Sequence, residues 1–238
     1  MAARPALVGV FAAVATIASS TAPAIARSPP VVKPLQQLVE LRTAHAVVAR
    51  PGARASRAEK IQPWRPITGG PTVLPVLRRA TTADGAHWLR VMLPGRPNGL
   101  KGWIRRRATA TAKTSWHVVA RTSSRRILVY RGGALVRDFA AIVGKPSTPT
   151  PRGRFFVEES VEMLPGSAGA PFALALSARS NVLQEFEGDP GQIAVHGVGN
   201  LGGTLGTAVS HGCVRLANRD IRWLAARVAP GVPVTVTR

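Results

Sequence analysis

Short runs of β-branched and large apolar residues, each ended within a few positions by glycine or proline, dominate this chain and leave little room for helices. Between 41 and 110 the runs are Val73-Leu74-Pro75-Val76-Leu77, Trp88-Leu89-Arg90-Val91-Met92-Leu93 and Gly102-Trp103-Ile104, with a turn at Asp84-Gly85. They predict a small β-barrel. Arg105-Arg106-Arg107 and the Ala-Thr run to Lys113 break the pattern, which places a domain boundary near 111. Strand signals resume at Trp116-His117-Val118-Val119 and Arg126-Ile127-Leu128-Val129-Tyr130, and Gly132-Gly133 turns the latter into a second strand, Ala134 to Val143. Pro146, Pro149, Pro151 and Gly153 make a long loop. Ile221, Leu224, Ala225 and Val228 recur at helical spacing, with Asn218 as the expected cap and Pro230-Gly231 as the stop, before a closing strand, Val232 to Thr237. The predicted fold class is mainly β: a barrel domain over 41–110, then a β-rich domain over 111–238 with one late helix.

The amino terminus predicts export. Arg4 precedes the apolar stretch Leu7 to Ala18, followed by the small-residue triplet Ala24-Ile25-Ala26. That is a signal peptide over 1–26, whose twelve-residue apolar stretch is too short to cross a bilayer, which takes about 20 residues. Cleavage is expected after Ala26, leaving no stable membrane span, although an uncleaved anchor is the alternative. Residues 27–40, with Pro29, Pro30 and Pro34, read as a tether. The protein is thus expected in the cell wall, periplasm or extracellular space.

Formal net charge is +21, with only five Lys among the 32 basic residues. A chain this basic is drawn to polyanions. Nucleic acid is not the expected partner, because the cations are spread along the sequence with no zinc-finger spacing or basic-aromatic motif. Anionic wall polymers outside the membrane are compatible with the charge.

Exported proteins usually spend cysteines in disulfide pairs, and this chain has a single one, Cys213. It lies in Ser210-His211-Gly212-Cys213-Val214-Arg215-Leu216, downstream of Ile193-Ala194-Val195-His196-Gly197 and a Gly-rich segment. An imidazole beside a thiol can take its proton and stabilise the thiolate. Gly212 permits unusual backbone angles, so the Gly212 and Cys213 amides can be aimed at a developing oxyanion. Two other readings stay open: a zinc site of His196, His211 and Cys213, and a structural buried cysteine.

The two histidine segments and the run through Asn218 resemble the signature of the L,D-transpeptidase family, the YkuD-type catalytic domain. Gly144 and Thr148-Pro149-Thr150-Pro151-Arg152-Gly153-Arg154-Phe155 extend the resemblance over about 115 to 238. The 41–110 region resembles bacterial Src-homology-type barrels of wall enzymes, read either as a wall-positioning module or as a structural cap burying Trp88 and Trp103. The resemblance implies a peptidoglycan L,D-transpeptidase: a cysteine attacks a diaminopimelate carbonyl of a stem tetrapeptide, expels D-alanine and passes the acyl group to an amine. It implies Cys213 as nucleophile, His196 as proton acceptor and donor, Gly197 as the carbonyl that orients the imidazole, and His211 lining the site. Arg215, Gly212 and Ser210 are the expected substrate-binding positions, Arg215 through a substrate carboxylate. Thr150 and Arg152 are secondary candidates. No cofactor or metal is implied. An L,D-carboxypeptidase using the same cysteine and an inactive wall-binding protein are the alternatives.

Overall fold

The structure, a computed structural model, describes Met1 and residues 32–53, 60–185 and 190–238. The signal peptide read over 1–26 lies, apart from Met1, outside the described residues. Among the described residues no helix is long and apolar enough to cross a membrane.

The N-terminal part contains β1 (Gln36–Leu41), β2 (His45–Ala46), β3 (Lys60–Ile61), β4 (Val73–Thr81), β5 (His87–Met92), β6 (Lys101–Arg105) and β7 (Thr109–Thr114). Five of these form an antiparallel sheet ordered β6-β5-β4-β1-β7, and β2 pairs with β3. The sheet's two edge strands, β6 and β7, are joined by only Arg106 to Ala108, so the sheet must curl back on itself. Leu74, Val91 and Ile104 are fully buried in its core. Trp88 and Trp103 pack with Val48 in a smaller cluster, with the Arg105 guanidinium 4.6 Å from the Trp88 ring centroid, so neither indole offers a free docking face.

Two boundaries differ from the sequence expectation. β1 begins at Gln36, inside the segment read as tether, and pairs along its whole length with β7, which runs to Thr114 beyond the expected boundary. The flanking prolines masked a strand whose Leu38, Val39 and Leu41 are buried.

The second part comprises β8 (Trp116–Arg121), β9 (Arg126–Arg131), β10 (Ala134–Gly144), β11 (Gly153–Glu162), β12 (Phe172–Arg179), β13 (Gln192–Gly197), β14 (Ala208–Ser210), β15 (Val214–Leu216), helix α1 (Asn218–Ala225) and β16 (Pro233–Thr237). The ladder runs β10-β15-β13-β12-β11-β16-β8-β9 and β9 pairs back to β10, closing a barrel, while β14 adds to β10. Closure removes exposed strand edges. α1 covers one side with Ile221 and Leu224 fully buried.

Strand alternation welds the two parts together. On β11, Phe155 points into the barrel core and its neighbour Phe156 into the core of the N-terminal sheet, each 1% exposed. Beside Phe156, Arg65 forms ion pairs with Glu158 and Glu159, Arg179 pairs with Glu158 at 3.0 Å, and Thr68 donates to Glu159 from both its amide and its hydroxyl. Both Glu side chains are buried.

Asn218 does not cap α1. The helix's N-cap is Ala217, with no side-chain cap bond, and the Asn218 carboxamide oxygen instead accepts the Val198 amide at 3.0 Å. Asp220 supplies the negative charge that favours a helix N-terminus.

Candidate functional site

The site grows from one face of two parallel strands. β13 alternates strictly: Ile193, Val195 and Gly197 are buried in the barrel, while Gln192, Ala194 and His196 face the other way. β15 pairs parallel to it, Val195 with Val214 and His196 with Arg215, which sets Cys213 opposite Ala194. Accordingly the Ala194 amide donates to Cys213 Sγ at 3.4 Å. A period of two therefore brings Gln192, Ala194, His196, Cys213 and Arg215 to one cavity of about 390 Å³, which His211 also lines.

His196 is held in a defined tautomer. Its Nδ1 lies 2.7 Å from the Gly197 carbonyl oxygen, which can only accept, so Nδ1 carries the proton and Nε2 is the ring's acceptor. Burial lowers the imidazole pKa from its ordinary value; the Gly197 bond opposes this and the Arg215 charge adds to it. A neutral, oriented imidazole is suited to accepting a thiol proton. The Ala194 amide, pointing at Sγ, favours the anion that results.

Loops fix His196 by backbone contact. Gly169 donates to the Gly199 carbonyl, and the Gly197 amide donates to the Gly169 carbonyl. A Cβ on Gly197 would sit 2.0 Å from the Ala170 carbonyl oxygen, and one on Gly169, at φ +87°, 2.8 Å from His196 Nδ1. Gly169, Ala170 and Asn218 thus brace the imidazole, a role that no local motif announces, because the contacts come from a distant hairpin tip and a helix start. Lys145 is a second unforeseen neighbour, with Nζ 3.4 Å from His211 Nε2.

The remaining expected residues divide. Arg215 lines the cavity and donates to the Gly202 carbonyl at 2.7 Å, while its Nε is buried without a hydrogen-bond partner. Ser210 is not placed to meet substrate: it is fully buried, and its hydroxyl donates to the Cys213 carbonyl at 2.5 Å and accepts the Gly212 amide at 3.2 Å. That same bond commits the Gly212 amide, so it is not aimed at an oxyanion. Gly212 is required for its backbone, φ +123° with Ile193 Cδ1 3.0 Å from where a Cβ would stand. Thr150 is buried and its hydroxyl accepts the Gly144 amide, and Arg152 is exposed and does not line the cavity.

Among the described residues no three His, Cys, Asp or Glu side chains gather closely enough to hold a metal ion, which weighs against zinc on His196, His211 and Cys213.

A closed β-barrel carrying a half-buried, carbonyl-oriented imidazole and the chain's single cysteine on one face has the parts of a cysteine acyl-transfer site. Residues 115–236 match the YkuD family, the L,D-transpeptidase catalytic domain, and the chain belongs to that family. It is 30% identical over 122 residues to the YkuD protein of Bacillus licheniformis, covering 51% of this chain and 66% of that one. Against L,D-transpeptidase 1 of Mycobacterium tuberculosis it is 32% identical over 126 residues, covering 50% of this chain and 49% of that one. The chain therefore spans less than two thirds of the curated relatives it matches. Among solved structures, an L,D-transpeptidase LdtMt1 in complex with imipenem aligns with TM-score 0.44 and 20% identity, over 83% of this chain and all of that one. L,D-transpeptidase 3 from Mycobacterium tuberculosis aligns at 0.42 and 19%, over 70% and 92%.

Proposed function

We propose that this protein is a peptidoglycan L,D-transpeptidase working through a Cys213 acyl-enzyme. The observation that carries the reading is the shared face of β13 and β15, where Cys213 and the Gly197-oriented His196 line one cavity with Arg215.

In this reading His196 Nε2 takes the Cys213 proton and the thiolate attacks the diaminopimelate carbonyl carbon of a stem tetrapeptide. The C–N bond to D-alanine breaks, and its amine leaves with the proton returned by His196. The side-chain amine of a second stem then attacks the thioester, yielding a cross-link and the free thiol. Arg215 receives a substrate carboxylate, for which guanidinium is the fitting donor. His211 lines the entrance with Lys145 beside it, so both can meet the anionic stem. Export by the leader over 1–26 would bring the basic chain to this substrate, and we read the N-terminal sheet as a small barrel-like module that positions the catalytic domain on the wall.

The test is to incubate the mature protein and Cys213→Ala with a disaccharide tetrapeptide ending in D-alanine, following protein mass and muropeptides. Cysteine-dependent loss of D-alanine from the substrate, a protein adduct, and dimers joined between diaminopimelate residues support the proposal. Tripeptide without dimers identifies a carboxypeptidase instead. No Cys213-dependent product from folded protein overturns the enzyme reading.

A further inference from the structure

The connection from β12 to β13 supplies one wall of the candidate site: Ser180, Leu183 and Gly191 line the same cavity as His196 and Cys213. It is closed at its base by the Ser180 amide donating to the Gly191 carbonyl at 2.7 Å, and the Ser180 hydroxyl accepts the amides of Val182 and Leu183. What holds it further comes from the other part of the molecule.

A turn between β5 and β6 reaches across to this wall. Arg96 donates to the carbonyls of Ser180 and Leu183, both at 2.8 Å, and of Pro190 at 2.6 Å, so one guanidinium ties the two ends of the connection to each other. Asn98 donates to the Arg179 carbonyl at 2.7 Å and accepts the Arg179 amide at 2.8 Å, extending β12 as a strand partner would. It also donates to the Asn181 side chain at 3.0 Å. Gly191, at φ +63°, permits the close approach: a Cβ there would meet the Leu183 carbonyl oxygen at 2.3 Å and Arg96 Nη2 at 3.0 Å.

We infer that the Arg96–Asn98 turn of the N-terminal sheet is a positioning element of the active site, setting the wall against which substrate lies. This rests on the proposed function for the identity of the substrate and not for the latch itself. Three carbonyls converging on one cation need a planar fork of several donors, which arginine has and lysine lacks. Neither residue lines the cavity with the thiol, so they act on binding and not on thiol reactivity.

The experiment uses the full mature protein with Arg96→Ala, Arg96→Lys and Asn98→Ala. Hydrogen exchange of peptides covering 180–185 and 190–194 should speed by about tenfold or more in Arg96→Ala, with barrel-core peptides unchanged, since charge-assisted hydrogen bonds are lost. With the tetrapeptide donor, KM should rise and kcat/KM fall by about tenfold, while alkylation of Cys213 by iodoacetamide stays within about twofold of wild type. Arg96→Lys should recover only part of both. Unchanged exchange in these peptides overturns the latch, and faster exchange with wild-type kcat/KM overturns its functional role. A wild-type protein without Cys213-dependent turnover overturns the transpeptidase reading, and the exchange data then decide the latch alone.

Discussion

Replacing Arg65 with alanine should do more harm than any ordinary surface arginine, because of what it leaves behind. Arg65 and Arg179 face Glu158 and Glu159, and the glutamate side chains are 0% and 1% exposed. Burial lowers the Arg65 guanidinium from its ordinary pKa, Glu159 works in the opposite direction, and Arg179 adds to the lowering. The present balance is two cations against two anions. Without Arg65, one buried carboxylate has no counter-charge, and breaking a buried pair from one side costs about 3–5 kcal/mol. For a domain pair of this size that is a fall in Tm of about 10 °C. Thermal unfolding followed by circular dichroism measures it. The control is Arg65→Ala with Glu159→Gln, which removes the stranded charge and should recover about 1–2 kcal/mol. A loss below about 1 kcal/mol in the single variant, or no recovery in the double, would show that water solvates the cluster and refute the argument.

Gly197→Ala should reduce kcat/KM by about 100-fold, because the new Cβ meets the Ala170 carbonyl oxygen and displaces the imidazole by a sizeable fraction of an ångström; steady-state kinetics on the tetrapeptide checks it. Asn218→Ala should slow Cys213 acylation by about tenfold through the freed Val198 amide while leaving the stability of α1 unchanged, and a helix that frays instead would restore the capping role. His117 is buried against Thr235, with its pKa pushed down to about 4 by burial and then by Arg154. The unfolded chain protonates first, near 6.5, so wild type should lose about 3 kcal/mol relative to His117→Gln as pH falls from 6.5 to 4, measured by denaturant titration. His196 is also lowered, so its neutral form persists below the ordinary imidazole range and the acidic limb of kcat/KM should have its midpoint below pH 6.5.

Much of the site was legible because its chemistry is local. Cys213 and His196 stand in short motifs, and the period-two alternation that puts them on one face can be read from Ile193-Ala194-Val195-His196 itself. The Gly132-Gly133 hairpin and the closing strand were legible for the same reason. Residues whose role depends on distant backbone were not. Asn218 has a cap's sequence context, and only the fold brings the Val198 amide within 3.0 Å of its side chain. Glu158 and Glu159 break the alternation of β11 and read as solvent-facing charges until Arg65 and Arg179 arrive from elsewhere in the chain. β1 was hidden because strand propensity in Gln36-Gln37-Leu38-Val39 is weak and its partners, β4 and β7, begin more than 30 residues away.

The contacts of Ser210 point to how the turn carrying Cys213 is held. Its carbonyl accepts the Lys145 amide at 2.9 Å and the Thr148 hydroxyl at 3.3 Å, and its own hydroxyl spans Gly212 and Cys213. Thr148 and Lys145 belong to the proline-rich loop, which is locked in turn where the Thr150 hydroxyl accepts the Gly144 amide at 2.9 Å. Gly144 tolerates this because it has no Cβ, which would lie 2.4 Å from the Thr150 nitrogen. Thr148 and Thr150, the latter expected as a secondary substrate contact, are thus scaffolding for the turn that carries the thiol. A turn satisfied at every one of these polar atoms has few ways to relax. Cys213 is then presented from a fixed backbone, and the entropy of ordering its turn is met during folding.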